Sequence, residues 1–381
     1  MEDFDWEALF SSLDAATQKA DVTTDSNSSL ALESGVMLDT LVGDEKRLSA
    51  AHPTPREPSI SAEEGLYRGS HTAFEKGMEI VHLNDNLSLA VLAFEEACRA
   101  NPVHFEAWRM LGSVLAEVER EPAAIQAFKE ALKLEPSNID IMMRLAVSYT
   151  NEGDHESACL CLEQWLKIKY PQVPIPEPDR QTTCPSDAQL LGRIKEPFIQ
   201  AARLSLEEES IDPDVQVGLG VLMFASELYD MAADCFYAAI QSTEPTTYQT
   251  HQHLLWNRYA ACLGNIRQKE TMAIQAYEMA LNLKPNFVKA RYNLGVLYHN
   301  INQPLMGAKS IVEALLWNEV AGSTVTNDIH EMTDAPKIQD DAMDMYETLR
   351  KCCNSMCRWD LAELVGPHMD VQQFKMVLDT C

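Results

Sequence analysis

The chain has 381 residues, 46% of them hydrophobic and 23% charged, with a formal net charge of −28; that is enough apolar content for one or two sizeable cores. So acidic a chain lacks the basic face that nucleic acid and anionic membrane surfaces require. Its apolar runs, such as VQVGLGVLMFAS, fall short of the roughly 18 to 20 residues of a membrane span.

The first ten residues, MEDFDWEALF, are acidic where a secretory leader would be basic, so a soluble intracellular protein is expected. Residues 1–68 hold 14 acidic and 5 basic residues and the segment HPTPREP. Such a composition cannot bury enough apolar area to offset chain entropy and predicts disorder. Within it, Trp6, Leu9, Phe10 and Leu13 recur at i, i+3, i+4 and i+7, predicting one short amphipathic helix with acidic flanks.

A 34-residue unit then appears at 105–138, with Trp108 at its fourth position, Leu111-Gly112 at its seventh and eighth, Phe128 at its twenty-fourth and Pro136 at its thirty-second. This is the tetratricopeptide pattern. The small eighth residue lets the two helices of a repeat approach, and the proline ends the second helix. Small residues recur at Ala146, Gly220, Ala260 and Gly295, placing repeats at about 71–104, 105–138, 139–172, 213–246, 253–287 and 288–321. The fold class expected is all-α, a tetratricopeptide superhelix in two arrays, 69–172 and 213–321. A proline-rich hinge or degenerate repeat at 173–212 separates them, and a loop with a C-terminal helical cap at 322–381 follows.

Catalytic signals are poor. GLG at 218–220 lacks the third glycine of a dinucleotide loop, HEMTD at 330–334 lacks the second histidine of a zinc helix, and Cys352, Cys353 and Cys357 have no histidine at ligand spacing. The ten cysteines, all from Cys98 onward within apolar segments, read as reduced core thiols. No enzyme is expected, and no cofactor or metal is implied.

The informative residues are polar ones on first helices of repeats, which line the concave surface. Lys289, Asn293 and Asn300 fall within about 40° on a helical wheel. Asn257, Arg258 and Ala261 occupy the preceding repeat, and Val147, Thr150 and Asn151 share a face in the third. Amides match a peptide backbone, and cations match a carboxylate. Segment 253–291 holds six basic residues against two acidic, which reads either as an anion site or as ordinary solvated helix positions.

LAVSYTNE, IDPDVQVGLGVL, LLWN and KARYNLG, in that order, make residues 71–318 resemble the receptor family for the type 1 peroxisomal targeting signal. The resemblance implies a cytosolic receptor whose arrays clasp the C-terminal S-K-L-type tripeptide of cargo proteins and deliver them to the peroxisomal or glycosomal membrane. It implies cargo contacts at Val147, Thr150, Asn151, Asn257, Arg258, Ala261, Lys289, Asn293 and Asn300, with Glu117 and Glu152 facing the penultimate lysine. It further implies that Trp6 and Phe10 engage a peroxin-14-like membrane docking protein. The alternative is a tetratricopeptide co-chaperone that clamps the C-terminal carboxylates of a heat-shock protein.

Overall fold

The computed structural model describes residues 60–177, 187–207, 211–242, 252–318 and 343–380. Trp6, Phe10, most of the proline-rich segment after residue 177 and the 320–338 loop lie outside them.

The first helix, α1 (Ile60–His82), begins earlier than the sequence boundary at residue 68 suggests. Its start follows Pro53, Pro55 and Pro58, and no proline occurs again before Pro102, so nothing interrupts the helix once that cluster has passed. It pairs with α2 (Leu87–Ala100). The next pairs are α3 (Phe105–Glu117) with α4 (Glu121–Leu134), and α5 (Ile139–Asn151) with α6 (His155–Lys169). After the single helix α7 (Asp187–Glu207) come α8 (Pro213–Ala225) with α9 (Tyr229–Ser242), α10 (Gln252–Gly264) with α11 (Glu270–Leu283), and α12 (Val288–Asn300) with α13 (Pro304–Asn318). The tail adds α14 (Met343–Ser355), α15 (Trp359–Leu364) and α16 (Val371–Leu378).

Local chemistry fixes these boundaries. Asn138 caps α5 by accepting from the Ile141 amide at 3.1 Å, and Asp154 caps α6 through the Ser157 amide at 3.0 Å. Pro102, Pro136 and Pro285 stand just after α2, α4 and α11, where the chain must turn. The small eighth positions do what the repeat pattern requires of them. A Cβ on Gly112 would meet the Phe128 ring at 2.6 Å, and one on Gly220 would meet Phe236 at 2.7 Å. Either substitution would push α3 from α4, or α8 from α9, and cost the packing that holds a repeat together.

Helix α7 is built into the core. Fully buried Phe198 stacks on Trp165 of α6 at 5.6 Å and 15°, and lies against Gly218 of α8. One hydrophobic cluster therefore runs unbroken from Met142 to Leu297 across the segment between the arrays. A second cluster joins Leu87–Ala158 of the first repeats to Val288–Leu378 of the last repeat and tail. The superhelix thus closes on itself. Ser88 donates to the Asn318 backbone and side-chain oxygens at 3.1 Å each, and Asn286 donates to the Asp85 carbonyl at 2.6 Å. Six of the eight described cysteines are buried, Cys161 is half-buried and Cys357 is exposed, and all eight are free thiols. None of the described helices is long and apolar enough to cross a membrane.

Candidate functional site

Closure of the ring turns α3, α5, α8, α10 and α12 toward a central cavity of about 90 Å³. The third repeat contributes Val147, Thr150 and Asn151 from α5. The second array contributes Asn257, Arg258 and Ala261 from α10, and Lys289 and Asn293 from α12. Val221 and Phe224 of α8 add an apolar wall. Eight of the nine residues singled out from sequence therefore converge, although their positions span Val147 to Asn293.

Asn300 does not join them. It is the exposed last residue of α12 and lies outside the cavity lining. A helical wheel places it on the same face as Asn293 but discards the rise along the axis, about 10 Å over seven residues.

The basic island of 253–291 is also mostly neutralised. Lys269 pairs with Asp230 at 2.9 Å, Arg291 with Glu313 at 2.5 Å, and Lys284 with Glu117. Lys289 reaches Glu119 at 2.9 Å and Glu121 at 2.8 Å, while Arg267 points to solvent. That leaves Arg258. Among the described residues it forms no hydrogen bond or ion pair, and it lines the cavity. Burial, then the like charge of Arg144, brings its guanidinium down to about 10 against a small opposing pull from Glu121; it stays charged at neutral pH.

Glu117 also lines the cavity, but its carboxylate is already engaged. It is 7% exposed, bonded to Lys284 and 3.4 Å from His253 Nε2. Burial raises its carboxyl, but Lys284 and His253 overcome this and hold it at about 2. A second acid at the cavity wall is Glu121, 4% exposed, whose Oε1 accepts from Asn151 Nδ2 at 2.5 Å and from Lys289 Nζ at 2.8 Å. Burial works against the charge of Lys289, yet Glu119 and Glu121 raise its pKa above the ordinary lysine value. Burial also raises Glu119 and Glu152, with Glu121 adding to both.

Asn293 donates to Asn257 Oδ1 at 3.4 Å, while its own Oδ1 is buried without a partner, as is Oε2 of Glu121. Among the described residues, the cavity lining therefore holds one unpaired cation, Arg258, and at least two unpaired acceptors, all on packed helices.

The family pattern described as "Tetratricopeptide repeat" matches residues 84–139, and one described as "TPR repeat" matches 267–302. The "Peroxisomal targeting signal receptor" of Candida albicans is 38% identical over 305 residues, covering 79% of this chain and 49% of that protein. The protein of the same name from Yarrowia lipolytica is 42% identical over 304 residues, covering 79% and 48%. This chain is a tetratricopeptide-repeat relative of the peroxisomal targeting signal receptors. It spans about half the length of the curated relatives it matches. Among solved structures, a tetratricopeptide repeat protein from Parabacteroides merdae is 17% identical, with 75% of this chain and 100% of that one covered and a TM-score of 0.33.

Sequence reasoning missed Glu121 and Arg144 in this receptor relative. Glu121 opens α4, where an acidic residue is common for reasons of the helix dipole alone. Its partners lie 30 and 168 residues away, so no local pattern marks it.

Proposed function

We propose that the chain is a targeting-signal receptor that binds the free C-terminus of cargo proteins, of the S-K-L type, in its central cavity. The observation that carries this is Arg258, a charged guanidinium with no partner among the described residues, set beside the unpartnered acceptor of Asn293. An α-carboxylate supplies the missing anion, and the last peptide N–H groups supply the missing donors. Glu121 Oε2 accepts from the ligand's basic side chain. Val221, Phe224 and Ala261 receive apolar groups near the terminus. Leaving any of these buried polar groups unpaired costs more than pairing it gains, so the site favours a ligand that satisfies them all.

The co-chaperone reading fits less well. A clamp for several carboxylates needs several free cations, whereas Lys284 and Lys289 are already paired with glutamates. Delivery to a peroxisomal or glycosomal membrane, and return to the cytosol, belong to this proposal. Trp6 and Phe10 serve in it as the anchors of a helix that docks in an apolar groove of a membrane protein. Replacing both by Ala should abolish docking and leave cargo affinity intact, and equal docking by that variant would remove this part.

The main test titrates labelled peptides ending in SKL as free acid, SKL as amide, and EEVD. A charge-assisted bond is worth roughly 1.5 to 3 kcal/mol, so the free acid should bind at least about tenfold more tightly than the amide. It should also outbind EEVD. Equal affinity for acid and amide overturns the proposal.

A further inference from the structure

Arg144 has no part in the proposed seating of cargo, yet it stands beside the cation that carries that seating. A second cavity of about 200 Å³ adjoins the central one, and Arg144, Leu254 and Arg258 line both. Arg144 of α5 and Arg258 of α10 therefore share one wall, close enough that the charge of Arg144 works against that of Arg258.

The acids around this wall do little to offset the two charges. In the central cavity Glu117 holds Lys284 and Glu121 holds Lys289. In the second, Asp214 bonds Lys169 at 2.7 Å. Asp140 accepts from Arg144 Nε at 2.9 Å, but its side chain is 54% exposed, where solvent weakens its pull. Arg258 has no partner among the described residues. The pair thus keeps a net positive charge beside Met143, Trp165, Val217 and Leu255, all buried. Like charges repel more strongly in such surroundings than in water. Each guanidinium presents a planar fork of N–H donors that fits the oxygens of a carboxylate or a phosphate. A doubly charged oxyanion matches the wall best, because it offsets both cations and offers oxygens to both forks.

We infer that Arg144 and Arg258 form a binding site for a free, doubly charged oxyanion such as sulfate or phosphate, and that this anion competes with cargo. The competition rests on the proposed seating of the cargo's α-carboxylate at Arg258. That carboxylate carries one charge and is met by Arg258, whereas the oxyanion spans both arginines and must leave before the carboxylate can enter. Arg144 is therefore the residue that distinguishes the two ligands. By mass action the cargo's apparent affinity falls by the factor 1 + [anion]/Kd, so the oxyanion concentration sets how readily the receptor loads.

The test titrates labelled SKL, as free acid and as amide, onto the full chain in sulfate and in chloride of equal ionic strength, which removes general screening. Calorimetry of sulfate alone supplies its Kd. With sulfate at three times that Kd the free acid should bind about fourfold more weakly than in chloride, and the amide should change by less than about twofold. Arg144→Met and Arg144→Gln should each abolish the sulfate effect, and SKL affinity kept in chloride reports an intact fold. The inference is overturned if sulfate gives the parent no saturable heat, if sulfate and chloride act alike on SKL, or if the effect persists in both Arg144 variants. If free and amidated SKL bind alike in chloride, the receptor reading fails and the competition with it. Calorimetry then decides the anion site by itself: sulfate binding in the parent that is lost in both Arg144 variants supports it, and equal heats overturn it.

Discussion

At the seam where the ring closes, Glu117, Glu119 and Glu121 of the first array meet Lys284 and Lys289 of the second, and each charge finds an opposite one. On α10, facing the same cavity, Arg258 finds none among the described residues. The residue types are alike and their uses differ. The seam's ion pairs tie the first repeats to the last, whereas the cation on α10 is the one proposed to meet the ligand. A basic residue in such a groove is evidence of an anion site only once its partners have been counted, and the seam's partners lie 167 to 170 residues apart in sequence.

The largest effect that would sharpen this contrast is at the seam. Glu117→Gln leaves Lys284 buried beside a neutral group, and breaking a buried pair from one side costs about 3–5 kcal/mol. Urea unfolding should show that loss. The double change Glu117→Gln with Lys284→Met should recover most of it, because it removes the stranded charge. Arg258→Met, by contrast, should leave stability almost unchanged, and an equal loss there would erase the distinction.

Acid should act on the seam in the same sense. Glu117 is held at about 2 in the folded chain against an ordinary value of 4.5. Its contribution is therefore present above pH 4.5 and lost as pH falls from there toward 2. Unfolding followed across that window should show the Glu117→Gln chain losing less stability than the parent.

On the ligand side the effects are smaller. Asn293→Ala removes an amide whose oxygen awaits a donor. It should weaken SKL binding by about 1–3 kcal/mol, read by fluorescence anisotropy, with little change in unfolding. Asn300→Ala should have the least effect, within about 0.5 kcal/mol, as for an exposed position away from the site. A loss at Asn300 equal to that at Asn293 would mean that the ligand extends along the whole face of α12.

Much of the architecture was legible because each repeat carries its own instructions. Gly112 opposite Phe128 and Pro136 after α4 lie where the repeat pattern required, and the caps Asn138 and Asp154 are local in the same way. The same holds for the facing of Val147, Thr150 and Asn151, which needs only 3.6 residues per turn. What was illegible depends on closure of the ring. Nothing near Lys289 in sequence announces Glu119 and Glu121, and nothing near Glu117 announces Lys284. The early start of α1 had a different cause: acidic composition was read as disorder, although Ile60–Gly69 contains no proline and several good helix formers. Asn300 was misjudged because a wheel shows direction and not depth.

The division of labour between the two cations is tested most directly by the ratio of free-acid to amidated SKL affinity, measured in the parent, in Arg258→Met and in Lys289→Met. The parent should prefer the free acid by at least about tenfold. Arg258→Met should bring that ratio close to one, and Lys289→Met should weaken both peptides by a common factor and leave the ratio intact. A ratio that survives in Arg258→Met, or collapses in Lys289→Met, would contradict the account.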